Sequence, residues 1–295
     1  RDAPSGYYNL FRGWTVQPLT DGPPEAHKAL AMFLNHIREN ICQEDSFLFQ
    51  WIVGFFAHLI QRPYEKPHVA LVFRGKKGVG KSAILDRIGA ILGAHYLATA
   101  DQRYLTGNFN SHLENCLLLV LEEAFWSGDK KADGILKNLV TGSQHVIERK
   151  GKEAYSVDNC TRIVIIGNDE WLVPASEDER RYAVFDVGSR RQNDSDYFQR
   201  MRTGMEQGGY SLLLRHLQDF DLSKVNLNAA PKTQALLEQK FKSLRNDERW
   251  WFDCLHDGHI LHSNFPDHEM PDAISKEDLR NSFSTYLREA GIRAR

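Results

Sequence analysis

Apolar residues fall along this chain in two rhythms. Glu25 to Asn40 and Ser46 to Ile60 repeat them at the spacing of an amphipathic helix, after a proline-rich lead from Pro18 to Pro24 and before the stop Arg62-Pro63-Tyr64. From His68 onward, short unbroken apolar runs alternate with helical spacing. The runs predict strands at Val69 to Phe73, near His95 to Ala98, at Leu117 to Leu121, at Arg162 to Ile166 and at Tyr182 to Phe185. Helices are predicted over 83–92, near Asp101 to Phe109, from Asp129 to Val140 and in a stretch ending near Phe220. Unbroken runs mark strands buried on both faces, so the pattern predicts an α/β core with a parallel sheet covered by helices on both sides.

Asn226 to Pro231 reads as a linker. Beyond it, Lys232 to Arg295 carries helix, short-strand and helix signals, with Ser275 as the cap of the last helix. The expected organisation is a helical unit over 1–66, the α/β domain over 67–225 and a small C-terminal α+β domain over 226–295. A length of 295 residues suits such a division.

With 42% hydrophobic and 26% charged residues, composition is that of an ordinary globular chain. The longest apolar run, Phe47 to Ile60, is broken by Gln50 and His58, so no membrane span is expected. The start Arg1-Asp2-Ala3 has neither signal peptide nor initiator methionine, which fits a piece of a longer protein. Thirty-seven basic and 39 acidic residues give a formal charge of −2, so any nucleic-acid contact must be local. Cys42, Cys116, Cys160 and Cys254 lack paired metal spacing and read as buried thiols of a reducing, cytoplasmic compartment. Cys254, His256, His259, His262 and His268 admit a metal, but with no helical i, i+4 pair or Cys-x-x-Cys anchor the stretch reads rather as a polar hairpin.

The chemistry concentrates around Gly75-Lys76-Lys77-Gly78-Val79-Gly80-Lys81-Ser82. Glycines permit a turn whose N–H groups point inward, Lys81 supplies a point charge and Ser82 a hydroxyl for Mg²⁺. Flanked by a strand and a helix, this is a P-loop for a nucleoside triphosphate rather than an incidental surface turn. About 40 residues on, the apolar run ends in Glu122-Glu123, one carboxylate suited to Mg²⁺ and the next to polarising a water; alone, the pair would read as a solvated acidic turn. Asn168 ends a third strand, where an amide can contact both γ-phosphate and attacking water; alone, Gly-Asn is a turn. Arg180 and Arg181 lead into the last strand, either as surface ion pairs or as a finger acting on a neighbouring subunit's nucleotide. Arg149, Lys150 and Lys152 flank Gly151 between two short strands, a basic hairpin able to contact phosphates or, more blandly, a solvated edge.

Taken in order, these segments resemble the superfamily 3 helicases of the phage and plasmid primase-helicase type, related to the poxvirus primase-helicases. The resemblance covers about residues 7–190 and rests on YYNLFRGWTVQP, GKKGVGKS, LTGNFNSHLENCLLLVLEEA, LKNLVTGSQHVIERKGKEAYSV, IVIIGN and ERRYAVFDV. It implies an AAA+-like ATPase core working with ATP and Mg²⁺ in a hexameric ring, a hairpin directed at the central channel, single-stranded or forked DNA as partner, and a primase or polymerase domain upstream. It also implies a phage or mobile-element origin and, by analogy, a winged-helix-like C-terminal domain. Glu122-Glu123 departs from the Asp-Glu of many relatives but keeps two carboxylates.

Other classes fit less well. No Asn-Lys-x-Asp guanine motif is present, and adjacent carboxylates suit water activation better than a kinase's acceptor. A packaging or remodelling ring motor, or a nucleotide-dependent DNA-binding scaffold supporting a primase, stays open as an alternative.

Overall fold

The computed structural model describes residues 9–101, 103–107, 109–122, 130–177, 179–263 and 270–291. Helix α1 (Pro24–Asn35) starts with proline in its first turn and buries Ala26, Ala29 and Phe33 on one face. It runs into a π-helical turn, His36–Ile41, where one uninterrupted α-helix was expected. Helix α2 (Ser46–Gln61) is capped by Asp45, whose carboxylate accepts from the Leu48 N–H at 3.0 Å. It is apolar almost all round and correspondingly buried from Trp51 to Ile60.

Five strands, β1 (Ala70–Arg74), β2 (Tyr96–Thr99), β3 (Leu118–Glu122), β6 (Arg162–Gly167) and β7 (Tyr182–Asp186), form one sheet in the order β2-β3-β6-β1-β7. All neighbours are parallel. Leu71, Phe73, Leu118 and Val120 face one hydrophobic core, with α2 and α3 (Lys81–Leu92), whereas Ala70, Val72, Leu119 and Leu121 face a second. Both faces are dry, which is why each strand reads as an unbroken apolar run.

Beyond the sheet come α4 (Arg103–Thr106), α5 (Lys130–Thr141), an antiparallel hairpin of β4 (Gln144–Ile147) and β5 (Tyr155–Asp158), α6 (Ser195–Gly204), α7 (Tyr210–Asp219) and α8 (Gln234–Ser243). The helix expected near Asp101 to Phe109 is a single turn: Asp101 accepts from the Arg103 N–H at 2.9 Å and Gly107 closes on the Arg103 carbonyl. The expected linker at Asn226 to Pro231 is irregular but anchored, since the Trp51 indole N–H donates to the Asn226 and Ala229 carbonyls, each at 3.2 Å.

Contacts divide the chain into two compact units, Arg1–Gln239 and Lys240–Arg295, so the N-terminal helices share one unit with the sheet. In the second unit, α9 (Asn246–Asp257) and α10 (Lys276–Glu289) pack around Trp250, Cys254 and Ile260. Ser275 caps α10 as expected, accepting from the Asp278 N–H at 3.0 Å. No strand occurs among this unit's described residues. Where a polar hairpin was expected, Cys254 and His256 lie on α9, which ends at left-handed Gly258. No metal-binding group of three or more side chains occurs among the described residues; His268 lies outside them.

His36, His58 and His145 are all buried. Burial pushes each ring's pKa down to about 4, reinforced by Arg191 at His36, Arg162 at His58 and Lys66 at His145. They are neutral in the folded chain, while the unfolded chain takes up their protons below about 6.5. Stability is therefore fully present above that pH and is lost as pH falls toward 4, by up to roughly 3 kcal/mol per ring. Denaturant titrations at pH 7 and pH 5 should show the midpoint falling with unchanged slope. A midpoint that does not move over this interval would contradict the neutral-histidine assignment.

Candidate nucleotide site and basic hairpin

The P-loop leaves the C-terminal end of β1 and delivers the chain to the first turn of α3. Gly78 (φ +78°) and Gly80 (φ +93°) both take the left-handed conformation. At Gly78 an added Cβ would fall 2.1 Å from the Asn193 side-chain oxygen, and at Gly80 it would fall 2.6 Å from the Phe198 ring, so the spacing of the glycines answers to packing as well as to φ. Lys76 and Lys77 are exposed, Val79 is buried and Ser82 is exposed on the first turn of α3.

Lys81 is only 8% exposed. Its ammonium donates to the Asn168 side-chain oxygen at 2.8 Å, to the Lys76 carbonyl at 2.9 Å and to the Gly75 carbonyl. The structure thus joins two sequence-selected residues 87 positions apart. Register explains the meeting: Arg74 pairs with Gly167, and Glu122 with Ile166, so the ends of β1, β6 and β3 lie level along one sheet edge. Glu122 is half-buried there, while Glu123 lies outside the described residues.

A depression of ≈ 310 Å³ opens at this edge, lined among others by Gly75, Lys76, Asn168, Asp169 and Asp186. Arg74, its side chain 12% exposed, forms a two-pronged pair with Asp186 at 2.6 and 2.8 Å and a further one with Glu238 on α8. The hydrogen bonds it donates to Asp186 raise the guanidinium's pKa further and so keep it charged.

Arg180 and Arg181 stand at the opposite edge. Ala70 pairs with Tyr182, and the Ala70 N–H donates to the Arg181 carbonyl at 2.7 Å, so Arg181 stands five strand steps, about 17 Å at 3.3 Å each, from the P-loop end of β1. Arg180 is exposed, whereas Arg181 lies 3.6 Å from Glu179. The buried Glu179 carboxylate accepts from the backbone N–H of both arginines, at 3.0 and 2.8 Å.

The hairpin forms where the sequence placed it, with Gly151 in the left-handed conformation (φ +74°) and Lys150 and Lys152 exposed at the turn. Arg149 has partners within the fold. Its guanidinium is bound to Glu114 and lies over the Tyr155 ring at 5.8 Å, while the Tyr155 hydroxyl donates to the same carboxylate at 2.5 Å. Arg149 therefore fastens the hairpin base, and the turn's outward positive charge falls to the two lysines.

Sequence reasoning passed over two sets of residues. Asn110 bonds to the Val146 carbonyl and the Glu148 N–H, each at 2.8 Å, and sets Phe109, 58% exposed, beside the hairpin. The signal was present in Asn108-Phe109-Asn110, an aromatic flanked by polar residues in a stretch read as helix. The second set, Asn40, Gln192 and Asn193, touches the outer side of the P-loop from distant segments and leaves no local signature.

A family model described as a family of unknown function (DUF5906) matches residues 73–181, the stretch from the P-loop strand to the arginine pair. The chain is 24% identical over 304 residues to the DNA primase-polymerase of Nitratiruptor phage NrS-1, covering 96% of this chain and 41% of that protein. Two solved apo structures of the NrS-1 C-terminal region superpose with TM-scores of 0.64 and 0.61, at 19% and 18% identity, each covering 95% of this chain and 66% or 65% of the other. What this chain shares with that region is its fold, a five-stranded parallel sheet flanked by helices, and it spans less than half the length of the phage protein.

Proposed function

We propose that this chain is the ATP-driven motor segment of a replicative DNA helicase, one that hydrolyses ATP and moves on single-stranded or forked DNA. The observation carrying the reading is the 2.8 Å contact between Lys81 and Asn168 on a sheet edge that also holds Glu122. In it Lys81 binds β- and γ-phosphate oxygens, Asn168 orients the attacking water against the γ-phosphate, and Glu123 takes the water's proton. Ser82 and Glu122, a hydroxyl and a carboxylate, fit the hard-oxygen preference of Mg²⁺, which would neutralise phosphate charge. Similarity to part of a phage primase-polymerase supports a place in DNA replication, with a primase or polymerase as companion.

The arginine pair supports a ring. At about 17 Å from its own P-loop edge it serves a neighbour's nucleotide instead, as subunits of an AAA+-like hexamer arranged head-to-tail would require. Lys150 and Lys152 grip the DNA backbone, and the exposed Phe109 ring offers a face on which a base stacks.

An unwinding assay on forked DNA with the assembled oligomer tests the reading as a whole. Lys81→Ala should abolish hydrolysis and Glu123→Gln should bind ATP without turnover, so near-parental steady-state ATPase in either variant would remove these assignments. Co-assembly tests the shared site: an Arg180→Ala/Arg181→Ala variant and Lys81→Ala, each inactive alone, should regain activity when mixed, and persistent inactivity would count against catalysis in trans.

The hairpin makes a separate expectation. Lys150→Ala/Lys152→Ala should weaken single-stranded DNA binding whatever the sequence, and should suppress unwinding more than DNA-free ATPase. Losing two phosphate contacts per subunit should flatten the log–log salt slope by about 1.4 for each subunit engaged on the strand. Parental binding and unwinding across a salt titration would mean that the hairpin is a solvated edge.

A further inference from the structure

Three consecutive P-loop carbonyls are held from outside the motif. The Lys77 carbonyl accepts from the Gln192 side-chain amide at 3.1 Å, the Gly78 carbonyl from the Asn193 backbone N–H at 2.9 Å and the Val79 carbonyl from the Asn40 side-chain amide at 3.1 Å. In a planar trans peptide the C=O and the following N–H point in opposite directions. Fixing these carbonyls outward therefore turns the N–H groups of Gly78, Val79 and Gly80 toward the inside of the loop, where an anion is cradled.

The holding residues are themselves tied together. The Asn40 carbonyl accepts from the Gly188 N–H at 2.7 Å, joining the π-helical turn to the segment that carries Gln192 and Asn193. That wider turn also presents His36, whose ring comes within 2.7 Å of where a Cβ on Gly80 would stand. Asn40 is 1% exposed, and its side-chain oxygen is buried without a hydrogen-bond partner. Such an orphaned acceptor costs stability. The amide cannot rotate to relieve it without aiming oxygen at the Val79 carbonyl, so its orientation is set by the P-loop.

We infer that Asn40 and the Gln192-Asn193 pair are positioning residues that preset the P-loop for triphosphate before it arrives, which makes the N-terminal helical segment part of the nucleotide site. This inference rests on the ATPase reading. A preset loop spares the ligand the cost of ordering the donors, so its loss appears in affinity before it appears in chemistry.

Gln192 is exposed, so Gln192→Ala removes one support without disturbing the core. Titration with a fluorescent ATP analogue should show a roughly 5-fold weaker Kd for Gln192→Ala, the worth of one hydrogen bond, and about 10-fold or more for Asn40→Ala. In both, KM for ATP should rise by a larger factor than kcat falls, and the nucleotide-free melting temperature of Gln192→Ala should match the parent's. If Gln192→Ala and a folded Asn40→Ala bind the analogue as tightly as a binding parent, the inference falls and the ATPase reading stands. A parent that binds no nucleotide overturns both.

Discussion

The meeting of Lys81 with Asn168 depends on where β6 lies. Were β1 and β3 adjacent, the P-loop would face Glu122 directly and the strand-ending amide would sit elsewhere. With β6 between them, Asn168 emerges beside Gly75, and the three strand ends share one level. Because both faces of the sheet are packed, this register has little freedom. A slip of one residue would move Asn168 by about 3.3 Å and turn Ile163 and Ile165 out of one core into the other, exchanging well-fitted side chains on both sides.

The other end of β6 is fixed just as firmly. Arg162, its first residue, is almost wholly buried and donates to the Arg62 carbonyl at 2.8 Å, to the Glu65 carbonyl and to the His58 ring nitrogen at 2.9 Å. A guanidinium at the C-terminal end of α2 meets carbonyls that have no helical partners, and it is favoured there by the helix dipole. Removing it would take a charged donor from each of these carbonyls. One strand thus carries a structural cation at its start and, just past its end, the amide that meets Lys81, and α2 is positioned with the site.

How much of this could be read from sequence varies with the range of the interaction. Strands buried on both faces announce themselves as unbroken apolar runs, so all five were placed to within a residue or two. The P-loop and the cap at Ser275 are likewise local patterns. The π-helical turn escaped because six residues cannot separate its period from that of an α-helix. Asn40 and Gln192 escaped because each bonds a backbone carbonyl, 39 and 115 positions away, and a carbonyl has no residue type to recognise. The bond from Arg149 to Glu114 escaped in the same way, its partner lying 35 positions upstream. In the C-terminal unit, a run of histidines suggested a turn, but Trp250 and Cys254 share a buried helical face that a reading drawn to polar residues overlooked.

Charge shows the same economy of placement. A chain with a net charge of −2 offers DNA no general attraction, so a grip on the backbone must come from cations kept free of internal partners. Glu114 secures Arg149 and leaves the turn to Lys150 and Lys152; Glu179 draws in Arg181 and leaves Arg180 exposed. In both places an acid fixes one base of a basic group while another projects. On the proposed reading this division has a geometric consequence. A parallel sheet has two unlike edges, with the P-loop at one and the arginine pair at the other. A twofold contact would pair like edges and leave the arginines away from any phosphate, whereas a head-to-tail contact brings unlike edges together and, where its rotation closes, makes a ring.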